Sequence, residues 1–214
     1  EEFRQLTPRK FVEDILVKTI DIKGLIVGYD FKFGQGGKGN TDLLTQLSTE
    51  YGFFFEVVEA ITFNGEKIGS NRIRKLIMDG DTKKAESFLG RPYAIEGMVT
   101  HGDGRGKGLG FPTVNLKTDY ELIPKDGVYV SKIEINGKMF PSVTNIGYNP
   151  TFGVNRRSIE THILDYNGDL YGSYITLYFY EMIRGEIKFE SIDALKERIG
   201  ADIDIARKYF NDKR

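Results

Sequence analysis

The chain contains no cysteine and no tryptophan, and it has only two histidines. Without cysteine there is neither a disulfide nor a thiolate metal site, which fits a reducing compartment, so a cytoplasmic location is expected. His101 and His162 have no third ligand at a useful spacing and make a poor zinc site. No run approaches the ~18 apolar residues that span a bilayer. The charged start EEFRQLTPRK lacks the apolar stretch of a signal peptide, so no membrane association is expected. A net charge of −1, from 30 basic and 31 acidic residues, gives no basic footprint for nucleic acid. The pattern G-x-x-x-x-G-K-[ST] does not occur, which excludes an ordinary P-loop. The first residue is Glu1 rather than Met, so the expectation is a fragment of a longer protein.

The 214 residues that are present suit one large domain or two small ones, and two rhythms divide them. Up to about Gly90, strand and helix alternate. Phe11, Val12, Ile15 and Leu16 lie at helical spacing, and GLIVGY is a short apolar run suited to a buried strand. TDLLTQLSTEY reads as a helix capped by Thr41, with Leu43, Leu44 and Leu47 inward. FFFEVVEAI reads as the next strand, and two short helices open at Ser70 and Asp81, the second closing at Gly90. That alternation indicates an α/β layer with a parallel sheet.

From Pro92 the period becomes two. GVYVSKIEI, KMFPSVTNI, SIETHILDY and YITLYFYEMI are strand-like, with turn dipeptides at Asn136-Gly137 and between the last two at Asn167-Gly168. Several short antiparallel strands leave edges unless the sheet closes, so a small barrel is expected. A final amphipathic helix begins at Ser191 and carries Ile192, Leu195, Ile199, Ile203, Ala206 and Phe210 on its inward stripe. The boundary between the halves is expected at Gly90-Arg91-Pro92.

The segment HGDGRGKGLGFPTVNL concentrates five glycines before Pro112. Such a loop can turn N–H groups toward an anion, with Arg105 and Lys107 adding positive charge. Thr113 offers a hydroxyl and Asn115 a carbonyl oxygen, both hard ligands suited to Mg²⁺ beside phosphates. In an extended segment these two project from one face. A plain surface loop is the competing reading. Phosphoryl transfer to an alcohol also needs a proton acceptor, and Glu160 lies on a strand-like run among apolar neighbours. It either serves chemistry or pairs with Arg156 or Arg157. Glu160 and His162 share parity, and a packed structural role is expected for His162.

HGDGRGKGLGFPTVNL, DGVYV, TNIGYNPTFG, ETHILDYNGDLYG and IRGEIKFESIDALKERI occur in this order. Together they resemble the riboflavin kinase half of the bacterial bifunctional riboflavin kinase/FMN adenylyltransferase family. The resemblance covers roughly Gly90 to the C-terminus. It implies a six-stranded Greek-key barrel with a C-terminal helix, using Mg²⁺ as cofactor and ATP and riboflavin as substrates. It further implies that Thr113 and Asn115 serve metal and phosphates, and that Gly102, Lys107 and Tyr171 contact the nucleotide. Glu160 would be the base on the riboflavin 5′-hydroxyl. Arg184, Lys188 and Phe189 would hold the flavin, Phe189 and Arg184 supplying the partly aromatic slot it needs.

Residues 1–90 are similar to the back part of the same family's Rossmann-like adenylyltransferase domain, from LTPRKFVEDIL to IGSNRIRKLI. Asp30 matches a nucleotide position. Ser70 and Arg72 match the family's Ser-Ser-Thr-x-x-Arg stretch imperfectly, with Arg74 an open alternative. The family's His-x-Gly-His motif is absent from the 214 residues, so FAD synthesis is expected to be lost or impaired. Gly34 to Gly39 also form a literal G-x-G-x-x-G with Glu56 or Glu59 about twenty residues on, a dinucleotide pattern that the adenylyltransferase resemblance displaces. The expected function is therefore a riboflavin kinase acting on small molecules. The alternatives are a non-catalytic flavin or nucleotide sensor and a single-strand nucleic-acid module. The sequence leaves the oligomeric state undetermined.

Overall fold

The computed structural model describes residues 5–102, 104–149 and 156–212. The chain forms two compact units, Glu1–Ile68 and Gly69–Arg214.

In the first unit, Thr7 caps a short helix, α1 (Pro8–Lys10), that continues as a wider π-helical run, Phe11–Thr19. β1 (Gly24–Gly28) and β2 (Phe54–Val58) pair in parallel, Gly24 opposite Phe54, joined through α2 (Thr41–Tyr51). The cap of α2 is Asn40, not Thr41: the Asn40 carboxamide accepts the Leu43 N–H at 3.0 Å, which leaves Thr41 as the first helical residue. Val12, Leu44 and Leu47 are fully buried, whereas Leu43 is only partly covered. GLIVGY does not form a fully buried strand. Ile26 is 61% exposed and Phe54 59%, because the two strands have cover on one face only. A small hairpin, β3 (Thr62–Phe63) and β4 (Glu66–Lys67), completes the unit.

The second unit opens with α3 (Ser70–Asp79) and α4 (Thr82–Leu89), the latter capped by Asp81 through the Lys84 N–H. Then follow β5 (Tyr93–Thr100), a helical turn α5 (Arg105–Leu109), β6 (Val114–Lys117), β7 (Gly127–Ile135) and β8 (Lys138–Asn149). β9 (Arg156–Ile163), β10 (Tyr174–Arg184) and α6 (Ile192–Asn211) close the chain. The helical hairpin belongs to this unit because the buried Thr82 hydroxyl donates to the Tyr180 carbonyl at 3.0 Å and Lys83 pairs with Glu181.

The six strands close antiparallel in the order β10-β5-β6-β9-β8-β7. Asn136-Gly137 makes the β7–β8 hairpin with positive φ at both residues, the geometry of a type I′ turn. Asn167-Gly168 does not make a hairpin. β9 pairs with β6 and β8, and β10 pairs with β5 and β7, so this segment carries a crossover between non-adjacent strands. The interior is apolar around Tyr129, Ile133, Ile146 and Phe179. One polar thread crosses it: Ser142–Ser131–Thr144–Thr161, hydroxyl to hydroxyl at 2.8, 2.8 and 2.9 Å, all at most 1% exposed. Each hydroxyl satisfies the next, so the thread avoids the desolvation cost of a lone buried hydroxyl.

α6 is capped by Ser191 and lies on the barrel's outer face, burying Ile203 and Ala206 against Val128, Val130 and Val143. Ile192 is 64% exposed and falls off the stripe, outside the cluster that α6 forms with the barrel. Arg207 grips Asp165 with two hydrogen bonds, tying α6 to the turn after β9 and holding that carboxyl below its usual range.

Candidate active site

Thr113 lines two cavities of the second unit, of about 380 and 290 Å³. The larger lies at the barrel mouth and is bounded by His101, Gly102, Asn115, Thr161 and Tyr171. The smaller lies between the barrel's outer face and α6, bounded by Asn145, Glu160, His162, Arg184, Phe189 and Asp202.

The strand registers explain why these residues converge. Thr100 stands opposite Asn115, Asn115 opposite Glu160, and Glu160 opposite Asn145. Asn145 in turn faces Val128, and Val128 faces Arg184. Residues directly opposite on paired strands lie on one face with Cβ atoms about 5 Å apart. A single row therefore crosses all six strands, running from the larger cavity to the smaller. Glu160 sits in it with a carboxamide on either side.

The glycine segment packs on this row. A Cβ on Gly102 would fall on the Asn115 carboxamide, and one on Gly106 would strike the Phe111 carbonyl and approach Thr113 Oγ1 at 3.0 Å. The backbone can lie directly on the two hard-ligand side chains only because these residues lack side chains. The segment is not all loop, since its centre coils into α5. Pro112 is fixed from the other side. Its carbonyl accepts a hydrogen bond of 2.8 Å from His162 Nδ1, which therefore carries the proton, and the imidazole meets Phe111 edge-on at 6.0 Å. His162 thus anchors the Pro-Thr segment. At the mouth, His101 stacks on Tyr171 with centroids 3.5 Å apart.

At the smaller cavity the Arg184 guanidinium lies over Phe189, 5.6 Å from the ring centroid, and pairs with Asp202. Lys188 is exposed and lines neither cavity. The side chain of Lys107 lies outside the described part of the structure. Asp30 is exposed in the first unit. Ser70 borders a separate cavity of about 440 Å³ with Arg74, Tyr93 and Tyr120. Arg72 instead covers Phe88, with its guanidinium 5.2 Å from the ring centroid. The Gly34 to Gly39 segment closes on itself through a bridge between Phe33 and Gly39. Among the described residues no three His, Cys, Asp or Glu side chains cluster as a metal site, and no helix is long and apolar enough to cross a membrane.

Among the residues of the smaller cavity that sequence reasoning missed are Asn145 and Asp202. Asn145 carried a signal in its parity, opposite to that of its inward neighbour Thr144. Asp202 falls three residues after Ile199 and one before Ile203, so helical spacing alone puts an acid on the apolar stripe.

Residues 89–210 match the family model for riboflavin kinase, and residues 1–72 match that for FAD synthetase. The chain is 40% identical over 209 residues to the bifunctional riboflavin kinase/FMN adenylyltransferase of Escherichia coli K12, covering 97% of this chain and 67% of that protein. Identity to the protein of the same name from Bacillus subtilis strain 168 is 38% over 220 residues, covering 100% of this chain and 68% of the relative. A crystal structure of a Streptococcus pneumoniae protein described as a macrolide-efflux protein superposes with a TM-score of 0.83 at 33% identity, over 97% of this chain and 67% of that one. The chain thus spans about two thirds of the length of these relatives. The barrel with its paired cavities coincides with the riboflavin kinase match, and this chain belongs to the family of bifunctional riboflavin kinases/FMN adenylyltransferases.

Proposed function

We propose that the chain transfers the γ-phosphoryl group of ATP to the 5′-hydroxyl of riboflavin, giving FMN and ADP. The observation that carries this reading is the row Asn115–Glu160–Asn145, with Thr113 at the junction of the two cavities. ATP is assigned to the larger cavity and riboflavin to the smaller, so the two substrates meet beside Thr113.

Riboflavin kinases use ATP and a divalent metal, and Mg²⁺ is the metal proposed here. The hydroxyl of Thr113 and the carboxamide oxygen of Asn115 are hard donors on one cavity wall, a set that fits Mg²⁺. When bound there it would neutralise phosphate charge as the transfer proceeds. Glu160 takes the proton from the ribityl hydroxyl as its oxygen bonds to phosphorus and the bond to ADP breaks. The backbone of the glycine segment, with Gly102 beside Asn115, covers the phosphates and excludes water. Lys107 adds charge on the phosphate side, and Tyr171 with His101 offers a flat surface to the nucleotide. Arg184 and Phe189 form the wall for the flavin ring. Lys188, exposed in the same loop, is proposed to meet the flavin's solvent side.

Kinase function is assigned to residues 91–214. Residues 1–90, with Asp30, Ser70 and Arg72, are assigned to an adenylyltransferase part. With no His-x-Gly-His motif in the sequence, conversion of FMN to FAD by this chain is proposed to be lost or impaired. Incubation with riboflavin, ATP and Mg²⁺, followed by chromatographic separation of the flavins, tests the reading. FMN alone is expected. FMN together with FAD would show that the first ninety residues adenylylate FMN without that motif, and no FMN would point to a flavin-binding sensor.

A further inference from the structure

Asp202 lies in the middle of α6 with its side chain only 2% exposed. An acid at a helix–barrel contact costs several kcal/mol in lost hydration unless it is paired and hydrogen-bonded. Here the partner is Arg184, at the last position of β10. Arg184 Nε donates to Asp202 Oδ2 at 3.0 Å, and Arg184 Nη2 stands 2.9 Å from the same oxygen. The remaining nitrogen, Nη1, donates to the Gly185 carbonyl at 3.1 Å. Each of the three nitrogens therefore has a partner along the edge of the guanidinium. One face covers Phe189. A second arginine approaches Asp202 in a different way: Arg198 Nε lies 3.2 Å from Oδ1, buried and without hydrogen-bond alignment. The hydrogen bonds of Asp202 are thus committed to Arg184.

We propose that Asp202 is a positioning residue for riboflavin: it fixes the plane of Arg184 over Phe189 and so shapes the wall on which the isoalloxazine ring lies. This rests on the assignment of riboflavin to the smaller cavity. A planar guanidinium stacks on flat aromatic systems, but only if its plane is held. A free arginine side chain carries rotamer entropy, which would otherwise be lost on each binding event. The carboxylate removes that freedom in advance, which is preorganisation. Because Asp202 belongs to α6, the helix becomes part of the substrate site as well as a cover for the barrel.

Three variants of the full chain test this: Asp202→Asn, Asp202→Glu and Arg198→Met. Riboflavin affinity is read from quenching of flavin fluorescence, and KM is measured for each substrate. The expected order of riboflavin Kd is Asp202→Asn highest, at tenfold or more above the unaltered chain, then Asp202→Glu. Arg198→Met is expected to stay within twofold of the unaltered chain. KM for ATP stays within twofold throughout. If Asp202→Asn does not fold, the order of the other two still decides. Equal riboflavin Kd in all variants, parallel rises in both KM values, or an Arg198→Met effect as large as either Asp202 change would overturn the role. Failure of the unaltered chain to bind riboflavin or make FMN would instead remove the proposed function itself.

Discussion

Asn145 stands directly across from Glu160 in the β8–β9 pair, and both side chains line the cavity between the barrel and α6. The proposed base therefore works between two neutral carboxamides, Asn145 and Asn115, with its position set by strand pairing on both sides.

Replacing Glu160 by Gln keeps this packing and removes the proton acceptor. The expected result is a fall in kcat of about 10²-fold or more with ATP affinity retained. Near-normal turnover in that variant would falsify the assignment.

Asn145→Asp introduces a carboxylate directly opposite Glu160. Two facing acids resist being negative together. The added negative charge should lower kcat/KM for riboflavin by about tenfold or more, since it crowds the proposed base. A kcat/KM equal to that of the unaltered chain would show that Asn145 is remote from the reaction.

Gly102→Ala puts a methyl group where the Asn115 carboxamide now lies. KM for ATP should rise about tenfold or more, since a misplaced phosphate-side group costs orders of magnitude in rate or binding. Riboflavin affinity should change little. Thr113→Ala is expected to weaken Mg-ATP use more than riboflavin binding. Titrating Mg²⁺ against activity separates the two variants: the requirement for metal should rise in Thr113→Ala.

Thr144→Val breaks the interior hydroxyl thread and leaves the Thr161 hydroxyl without its partner, while the Ser131–Ser142 bond survives. The cost should be about 1–3 kcal/mol in denaturant unfolding. An unchanged midpoint would mean that the thread contributes nothing to stability.

Alkali should destabilise the barrel before it unfolds anything by charge repulsion alone. Burial pushes the Tyr93 hydroxyl up to about 12, and it raises Tyr129 further. A raised folded value means that stability is fully present below about 10, the ordinary tyrosine range, and is lost as pH rises through the folded values. Thermal melts between pH 9 and 12 should therefore fall from about pH 10 onward, and Tyr129→Phe should flatten the decline.

Much of the architecture was legible because the local signals were strong. Asn136-Gly137 between alternating strands fixed one hairpin, and Ser191 marked the start of the last helix at the residue that caps it. The glycine segment and Pro-Thr-Val-Asn pointed to a phosphate site, and their spacing put Thr113 and Asn115 on the same cavity. Helix caps were less legible. Asn40 and Thr41 are both good capping types in adjacent positions, and only backbone geometry chose Asn40. Asn167-Gly168 misled because the turn after β9 forms at Leu164-Asp165, and a turn dipeptide says nothing about which strands become neighbours.

The sequence by itself determined most local elements and the change from an α/β rhythm to a β rhythm, whereas the helical hairpin before that change packs with the barrel. The elements and the rhythm follow from periodicity, turn chemistry and side-chain chemistry within a few residues. Only the tertiary structure decided that Thr100, Asn115, Glu160, Asn145 and Arg184 share one row, and that Asp202 reaches Arg184 from another element. The reason is register. A shift of one residue in any strand pair would turn a side chain to the opposite face, and that register is set by closing the barrel, which no single segment encodes.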